Sequence, residues 1–323
     1  MKIKIAILAL AFATVLGVGC KKTTTTTTTT PSLGGLWMSA QPQFVQYGEE
    51  QEFRIYIDDI YVSDNTDPGK MGVYWQVSGY ARDTTTRDVD KSNPAYYFTP
   101  EDPGTYTVTA TLYALNGNYY SATSSVTFQA IDPDTAMDGI EGTTEDIYFD
   151  EYEIEMYTAH IGKHTWMAQN LFTLEPVGRS YQDSDVVADL FGQYYSWEEA
   201  QDICPDGWRL PTAAEFDEDL GNISGELMGK VRFLDVEMWP YWPDVVITNE
   251  TLFNAIPVGY MDLATSSQAR GYKEYAAWWT SDDVAEGDES LGVFRYIYCE
   301  EPYVKKGKGS KESLALNVRC VKE

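Results

Sequence analysis

Between residues 52 and 130, apolar and polar positions alternate in short runs separated by turn formers. Glu52-Phe-Arg-Ile-Tyr-Ile57 puts Phe53, Ile55 and Ile57 on one face, and Thr105-Tyr-Thr-Val-Thr-Ala-Thr-Leu112 alternates strictly. A period of two places every second side chain on the same face of an extended chain, so these runs read as half-buried strands. Val73-Tyr-Trp-Gln-Val77 follows a Pro68-Gly69 turn, and Asn116-Gly117-Asn118 turns the long strand back towards Ser125-Val-Thr-Phe-Gln-Ala130. Regularly spaced short strands without a cysteine predict a β-sandwich of immunoglobulin type over residues 34–132, with Tyr74-Trp75 on a central strand.

The pattern changes after residue 147. Glu151 to Ile161, a Gly162-Lys163 turn and Trp166-Met-Ala-Gln-Asn-Leu171 predict a hairpin. Ser196 with Glu199, and Thr212 with Glu215, each have the spacing of a capping box, in which the side chain of each residue satisfies the backbone N–H of the other. Trp197, Ala200 and Cys204 fall at i, i+3 and i+7, the buried face of the first helix, and Pro205-Asp206-Gly207 stops it. Phe253 to Gly259, Ala276 to Ser281, Val293 to Cys299 and Leu314 to Cys320 then read as strands, the last with Leu314, Leu316, Val318 and Cys320 on one face. Early helices and late antiparallel strands make residues 148–323 an α+β unit. Between the two units, residues 133–147 are acidic and rich in turn formers, which predicts a linker.

The chain begins with Lys2 and Lys4, an apolar run from Ile5 to Val18, and Gly19-Cys20, the layout of a signal peptide over residues 1–19. Leu16-Gly-Val-Gly-Cys20 resembles a bacterial lipobox, with Gly17 where leucine is usual, and implies that Cys20 is lipidated and anchors the protein to the outer membrane of a Gram-negative cell. The rest of residues 20–33, with eight consecutive threonines, has nothing to bury and is expected to be a disordered tether. The side of the membrane is left open.

Composition narrows the class of partner. Twenty-three basic residues against 50 acidic ones give a formal charge of −27, which repels nucleic acid and anionic lipid surfaces. Asp83-Thr84-Thr85 and Asp134-Thr135-Ala136 resemble the short O-glycosylation sites of Bacteroidetes-type bacteria. Lys305-Lys-Gly-Lys-Gly-Ser-Lys311 is the one basic run, read either as a solvated hairpin tip or as an attractor of anionic glycan.

Two stretches carry a resemblance. Pro100-Glu-Asp-Pro-Gly-Thr-Tyr-Thr-Val-Thr-Ala-Thr is similar to a strand of PKD-like domains. Trp166-Met-Ala-Gln-Asn-Leu171, Tyr195-Ser-Trp-Glu-Glu-Ala200, Cys204-Pro-Asp-Gly-Trp-Arg-Leu-Pro-Thr212, Trp278-Trp-Thr-Ser281 and Asn317-Val-Arg-Cys320-Val resemble, in order, the Fibrobacter succinogenes major paralogous domain. That family's helix-plus-cysteine and terminal strand-plus-cysteine are similar to the C-type lectin-like fold, in which the two cysteines are bridged. The implied architecture is a β-rich two-domain protein, an immunoglobulin-like sandwich followed by an α+β lectin-like domain.

With Cys20 lipidated, Cys204, Cys299 and Cys320 remain, an odd count that leaves one unpaired. The resemblance implies Cys204–Cys320 and leaves Cys299 as a free, buried thiol. His160 and His164 flank the hairpin turn without a cysteine or carboxylate at ligand spacing, so no metal is expected. Glu300-Glu301-Pro302-Tyr303 stands where calcium-dependent lectins carry their ligand loop, without the accompanying Trp-Asn-Asp run, and no cofactor is expected. Trp239, Tyr241 and Trp242, stiffened by flanking prolines, are the candidate ligand-binding aromatics.

The resulting expectation is a non-catalytic, lipid-anchored envelope protein that binds a glycan or protein through its lectin-like end, with no catalytic residue. The alternatives are a structural stalk or pilus-associated component, a glycan-degrading enzyme, and a relative of the formylglycine-generating oxidases, whose copper-binding cysteine pair this chain would lack.

Overall fold

The structure, a computed structural model, describes residues 33, 35–39, 41–57, 71–78, 80–89, 95–117, 119–149, 155–174, 177–265, 268–284 and 289–323, with the backbone alone for 80–89 and 143–149. The expected signal peptide, Cys20 and the threonine tether lie outside the described residues. Strand outweighs helix, 45% to 13%, in several small sheets.

Two of those sheets face each other across one core. The larger runs Phe44–Gln46, Ala122–Ile131, Gly104–Ala114, Met71–Val77, Tyr80–Val89, with the first pair parallel and the others antiparallel. The smaller runs Leu36–Met38, Gln51–Ile57, Ala95–Phe98. Phe53 and Ile55 from the smaller sheet meet Val73, Trp75, Val108, Leu112 and Phe128 from the larger in one apolar cluster. Trp75 is fully buried and stacks on Tyr96 with ring centroids 5.3 Å apart. The alternation of the long strand is kept: Tyr106, Val108, Ala110 and Leu112 point inwards. On the outer face Thr107 and Thr109 exchange hydroxyl hydrogen bonds with Thr127 and Ser125 at 2.8 and 2.9 Å. Thr84 falls in Tyr80–Val89, where only the backbone is described.

The stretch expected as a linker is folded. Asp132 caps a short helix, Pro133–Ala136, by accepting from the Asp134 N–H, and Thr135 is exposed on it. Met137–Asp138 then pairs with Arg232–Phe233, and Thr143–Phe149 pairs with Glu155–Ile161. The turn formers that suggested a flexible join serve as a cap and as a positive-φ glycine, Gly139 at 86°, where a Cβ would run into the Lys230 carbonyl. Ala136 is buried in a cluster with Phe44 and Ile131 on one side and Phe191 and Phe233 on the other. Phe44 also donates its N–H to Ser184 Oγ at 2.9 Å, so the sandwich and the C-terminal region share apolar and polar contacts.

Beyond residue 155 the core is enclosed by short strands and loops. Both capping boxes form, on helices Trp197–Asp202 and Ala213–Leu220. Each box glutamate is also gripped by an arginine with two hydrogen bonds, Glu199 by Arg179 at 2.7 and 3.1 Å and Glu215 by Arg209 at 2.6 and 2.9 Å. Cys204 and Cys320 are bridged across a separation of 116 residues, and Cys299 is free and buried.

Two expected strands differ. Phe253 to Gly259 has no ladder, only bridges at Ala255 and Gly259, and Asn254 takes a φ of 49°. Side-chain donors satisfy its carbonyls instead: Arg319 to Phe253 and Asn254 (2.6 and 3.1 Å), Trp239 to Ala255 (2.7 Å), Tyr194 to Val258 (2.5 Å). Leu314 to Cys320 keeps its alternation but changes sheet. Leu314–Ala315 pairs with Tyr260–Asp262, Leu316 and Asn317 make isolated bridges, and Val321–Lys322 enters between His164–Met167 and Trp208–Arg209. Leu316, Val318 and Cys320 pack with Tyr195, Trp208 and Trp279. On the opposite face Arg319, 1% exposed, donates to Asn170, Met167, Phe253 and Asn254 and lies over the Phe253 ring at 4.5 Å. With no carboxylate among those acceptors, burial pulls its pKa well below the ordinary arginine value.

Candidate functional site

The sheet Tyr275–Asp283, Leu291–Tyr298, Lys305–Ser310 packs on both faces, Ala276, Trp278 and Ile297 in one apolar cluster and Ala277 and Trp279 in another that Phe294 and Tyr296 partly cover. In its middle strand Ile297 faces the core, while Arg295 is 4% exposed and held by Asp217 at 2.7 and 2.9 Å. The alternate residues Phe294, Tyr296 and Tyr298 therefore share the other face. Register then sets their neighbours: Tyr275 lies opposite Tyr298, Ala277 opposite Tyr296, and Gly307 opposite Phe294. Tyr260 joins them from the adjacent strand Tyr260–Asp262.

The rings form one connected set. Tyr275 stacks on Tyr298 at 4.8 Å, meets Tyr260 edge-on at 5.9 Å and lies 6.3 Å from Tyr296, which in turn is 5.7 Å from Phe294. These are the separations at which aromatic pairs attract beyond their buried area. The small residues make room. A Cβ at Gly307 would overlap the Phe294 ring, and one at Gly309 would overlap Leu314. What remains is a cup of about 380 Å³ walled by Tyr260, Tyr275, Tyr296 and Phe294, with the Lys306–Lys308 edge as its rim.

The phenols of this cup are unclaimed. Among the described residues no hydrogen bond joins the hydroxyls of Tyr260, Tyr275 or Tyr296 to the protein, whereas buried Tyr194 and Tyr195 donate to the Val258 carbonyl (2.5 Å) and Gln193 Oε1 (2.9 Å). Burial, then Tyr260 and Glu274, raise the Tyr275 pKa, so it stays a neutral donor. Half-buried rings with free hydroxyls suit a ligand that has apolar C–H faces and many hydroxyl groups.

The aromatics expected to bind a ligand lie away from this cup. Trp239 is mostly core: it is 3% exposed, packs with Met228 and Phe253 and donates its indole N–H to the Ala255 carbonyl, while its remaining surface lines a second cleft together with Tyr241 and Trp242. Tyr241 is 85% exposed and Trp242 half-buried, on a loop over that cleft of about 330 Å³, which also touches Cys299. The Cys299 thiol is pushed up by burial and then by Glu300 and Glu274, the opposite of an activated nucleophile. The cup had been signalled by the Phe294, Tyr296, Tyr298 alternation and by Lys-Gly-Lys-Gly, which leaves bare backbone for rings to lie on.

The basic run is an edge strand, and most of its charge is paired. Lys305 meets Glu301 at 2.9 Å, Lys306 meets Asp217 at 2.7 Å, and Lys311 pairs with Asp283 while lying 4.1 Å over the Trp197 ring. The histidines separate. His160 is exposed, whereas His164 places Nδ1 2.6 Å from Asp219 Oδ2 and Nε2 3.6 Å from Glu215 Oε1. Burial opposes ionisation of Asp219, but the Lys163 N–H (2.9 Å), His164 and the Trp166 indole (3.0 Å) outweigh it and lower its pKa. This knot ties the hairpin to the second helix. Among the described residues no three His, Cys, Asp or Glu side chains are grouped to hold a metal ion.

A sequence profile described as the Fibrobacter succinogenes major domain matches residues 159–322. No curated protein matches the chain. Among solved structures, the CARDB domain of a Pyrococcus furiosus protein, crystallised in complex with di-metal ions, is 14% identical over 30% of this chain and 85% of that one, at a TM-score of 0.21.

Proposed function

The chain belongs to the Fibrobacter succinogenes major domain family, and from that premise we propose that it is a non-catalytic, lipid-anchored envelope protein whose C-terminal domain binds a glycan at the aromatic cup. The reading takes the sandwich as a separate immunoglobulin-like or PKD-like domain and residues 148–323 as a lectin-like one, held at the outer membrane through Cys20. It is supported by one observation above others: Tyr260, Tyr275 and Tyr296 surround a cup of about 380 Å³, and among the described residues their hydroxyls have no hydrogen-bond partner. Pockets for small ligands run from roughly 300 to 1,000 Å³, so the cup suits one or two sugar rings.

Glycan-array binding by the full chain, repeated with Tyr275→Ala and Tyr296→Ala, tests this. Each ring contributes on the order of 0.5–1.5 kcal/mol of aromatic contact, so each variant should bind about two- to tenfold more weakly. Unchanged binding in both would remove the cup from the account. Radiolabelled palmitate incorporation that survives Cys20→Ser would remove the anchor.

A second reading, a structural stalk, draws on Phe44: packed on Phe233, Phe191 and Tyr181 at 5.2–6.5 Å, it stiffens the join between the sandwich and the rest.

A further inference from the structure

We infer that the cleft beneath residues 239–247 takes a free organic cation of the trimethylammonium class, held between the rings of Tyr241 and Trp242 and the carboxylate of Glu237. The site shares no lining residue with the cup and does not depend on the glycan reading. Its volume of about 330 Å³ is that of a small-ligand pocket.

Aromatic and aliphatic groups make most of its wall. Trp239, Tyr241 and Trp242 line it, with Met228, Val245 and Ile247 beside them. Among the described residues Tyr241 and Trp242 stack on no other ring, and Tyr241 is 85% exposed, so their faces are left for a ligand. Donors are scarce there. Pro240 and Pro243 have no N–H, the Trp239 indole donates to the Ala255 carbonyl at 2.7 Å, and the Val245 N–H donates to the Trp242 carbonyl at 3.2 Å. An anion or a sugar, which needs several donors, is poorly served by such a wall.

What charge the cleft has is negative. Among the described residues, the charged side chain that lines it is Glu237. Arg232 stands opposite Glu237 in the strand register, but its guanidinium turns to Asp235, donating to the carbonyl and lying 3.9 Å from the carboxylate. Glu237 itself has no ion pair among the described residues, and Asp244 is exposed on the same loop. At Cys299, which also lines the cleft, burial and then Glu300 and Glu274 raise the thiol pKa, so the potential of those carboxylates reaches the wall.

Ring faces attract a cation through their quadrupole, tryptophan most strongly. A trimethylammonium spreads its charge over methyl groups, so it makes apolar contact as well and has no N–H to satisfy. A primary ammonium would enter with three donors and leave N–H groups unpaired against this wall. The acids also repel a phosphate-bearing headgroup, which favours a free compound over phosphatidylcholine. The chain as a whole, with 50 acidic and 23 basic residues, concentrates cations at its surface.

The test is calorimetric titration of the full chain with choline and with neohexanol, which has the same shape with an uncharged carbon in place of the nitrogen. Choline should bind about tenfold more tightly, as two ring contacts with a cation supply. Tyr241→Leu and Trp242→Leu, which keep apolar bulk, should each cut that preference about threefold. Glu237→Gln should weaken choline binding about threefold and remove most of its salt dependence. Equal affinity for the two compounds would overturn the inference. So would choline binding unchanged in both leucine variants, or binding to phosphatidylcholine vesicles without binding to choline. Absence of choline binding by a chain with wild-type circular dichroism would overturn it too, and would leave the cup standing.

Discussion

The sandwich and the region after residue 155 solve the same problem, how to bury a backbone, in different ways. In the sandwich, long strands pair with long strands, as Gly104–Ala114 does with Ala122–Ile131 over nine consecutive partners from Gly104↔Ala130 to Leu112↔Ala122. In the later region many strands are two or three residues long, and side chains reach into loops to satisfy the carbonyls that no strand meets. A ladder spreads its stabilising hydrogen bonds over many replaceable residues. A side-chain hub concentrates them in one, and in exchange frees the surrounding loops from pairing rules. The difference teaches where change is tolerated: the hub region can vary its outer loops, and the cup sits there, on the Phe294 and Tyr296 face of the sheet Tyr275–Asp283, Leu291–Tyr298, Lys305–Ser310.

That comparison is broken most severely at the clasp and the hub. Cys320→Ser should lower stability by up to about 5 kcal/mol, the loop-entropy value for a bridge of this span, read from the urea midpoint of the later region under oxidising conditions. Arg319→Met should cost about 3 kcal/mol or more, because it leaves the carbonyls of Met167, Phe253 and Asn254 buried without a donor. If either substitution moved the midpoint by less than 1 kcal/mol, as is usual for a surface change, the hub account would be wrong.

The next test uses pH. The paired hydrogen bonds from Arg209, working against burial and helped by Thr212, depress the Glu215 carboxyl from its usual 4.5 to about 2. A depressed folded-state pKa means stability that is fully present above 4.5 and is lost as pH falls through about 2. Acid unfolding followed by circular dichroism should therefore be shallower for Glu215→Gln than for the parent across that window. The variant's cap loss at neutral pH should be about 1 kcal/mol. An unchanged acid limb would remove Glu215 from the account. The smallest effect belongs to the sandwich. Thr109→Val deletes one outer-face hydroxyl pair with Ser125 and should change stability by no more than about 0.5 kcal/mol in thermal melts.

The same contrast explains what could be read in the sequence. Runs such as Glu52 to Ile57 and Thr105 to Leu112 are legible because a ladder demands period two, and the capping boxes are legible because their partners lie three residues apart. The Cys204–Cys320 bridge came through family resemblance rather than spacing, and the structure has it. Phe253 to Gly259 looked like a strand because apolar side chains had to be buried. Nothing local in it announces that Arg319, 65 or 66 residues away, holds its carbonyls. Residues 133–147 looked like a linker because capping residues and turn residues have the same composition. Trp239 drew attention as one of three aromatics in a proline-rich loop, though its indole N–H was already committed to Ala255. The cup was the hardest to see, since its walls come from Tyr260, Tyr275 and Phe294 on three strands and only register brings them together.

The cup and the loop around Tyr241 are rival surfaces, and tyrosine nitration mapped by mass spectrometry, with and without bound glycan, separates them. Binding at the cup predicts that glycan protects Tyr260, Tyr275 and Tyr296 while Tyr241 and Tyr303, both exposed, react as before. Protection of Tyr241 with the three cup tyrosines left reactive would contradict the account.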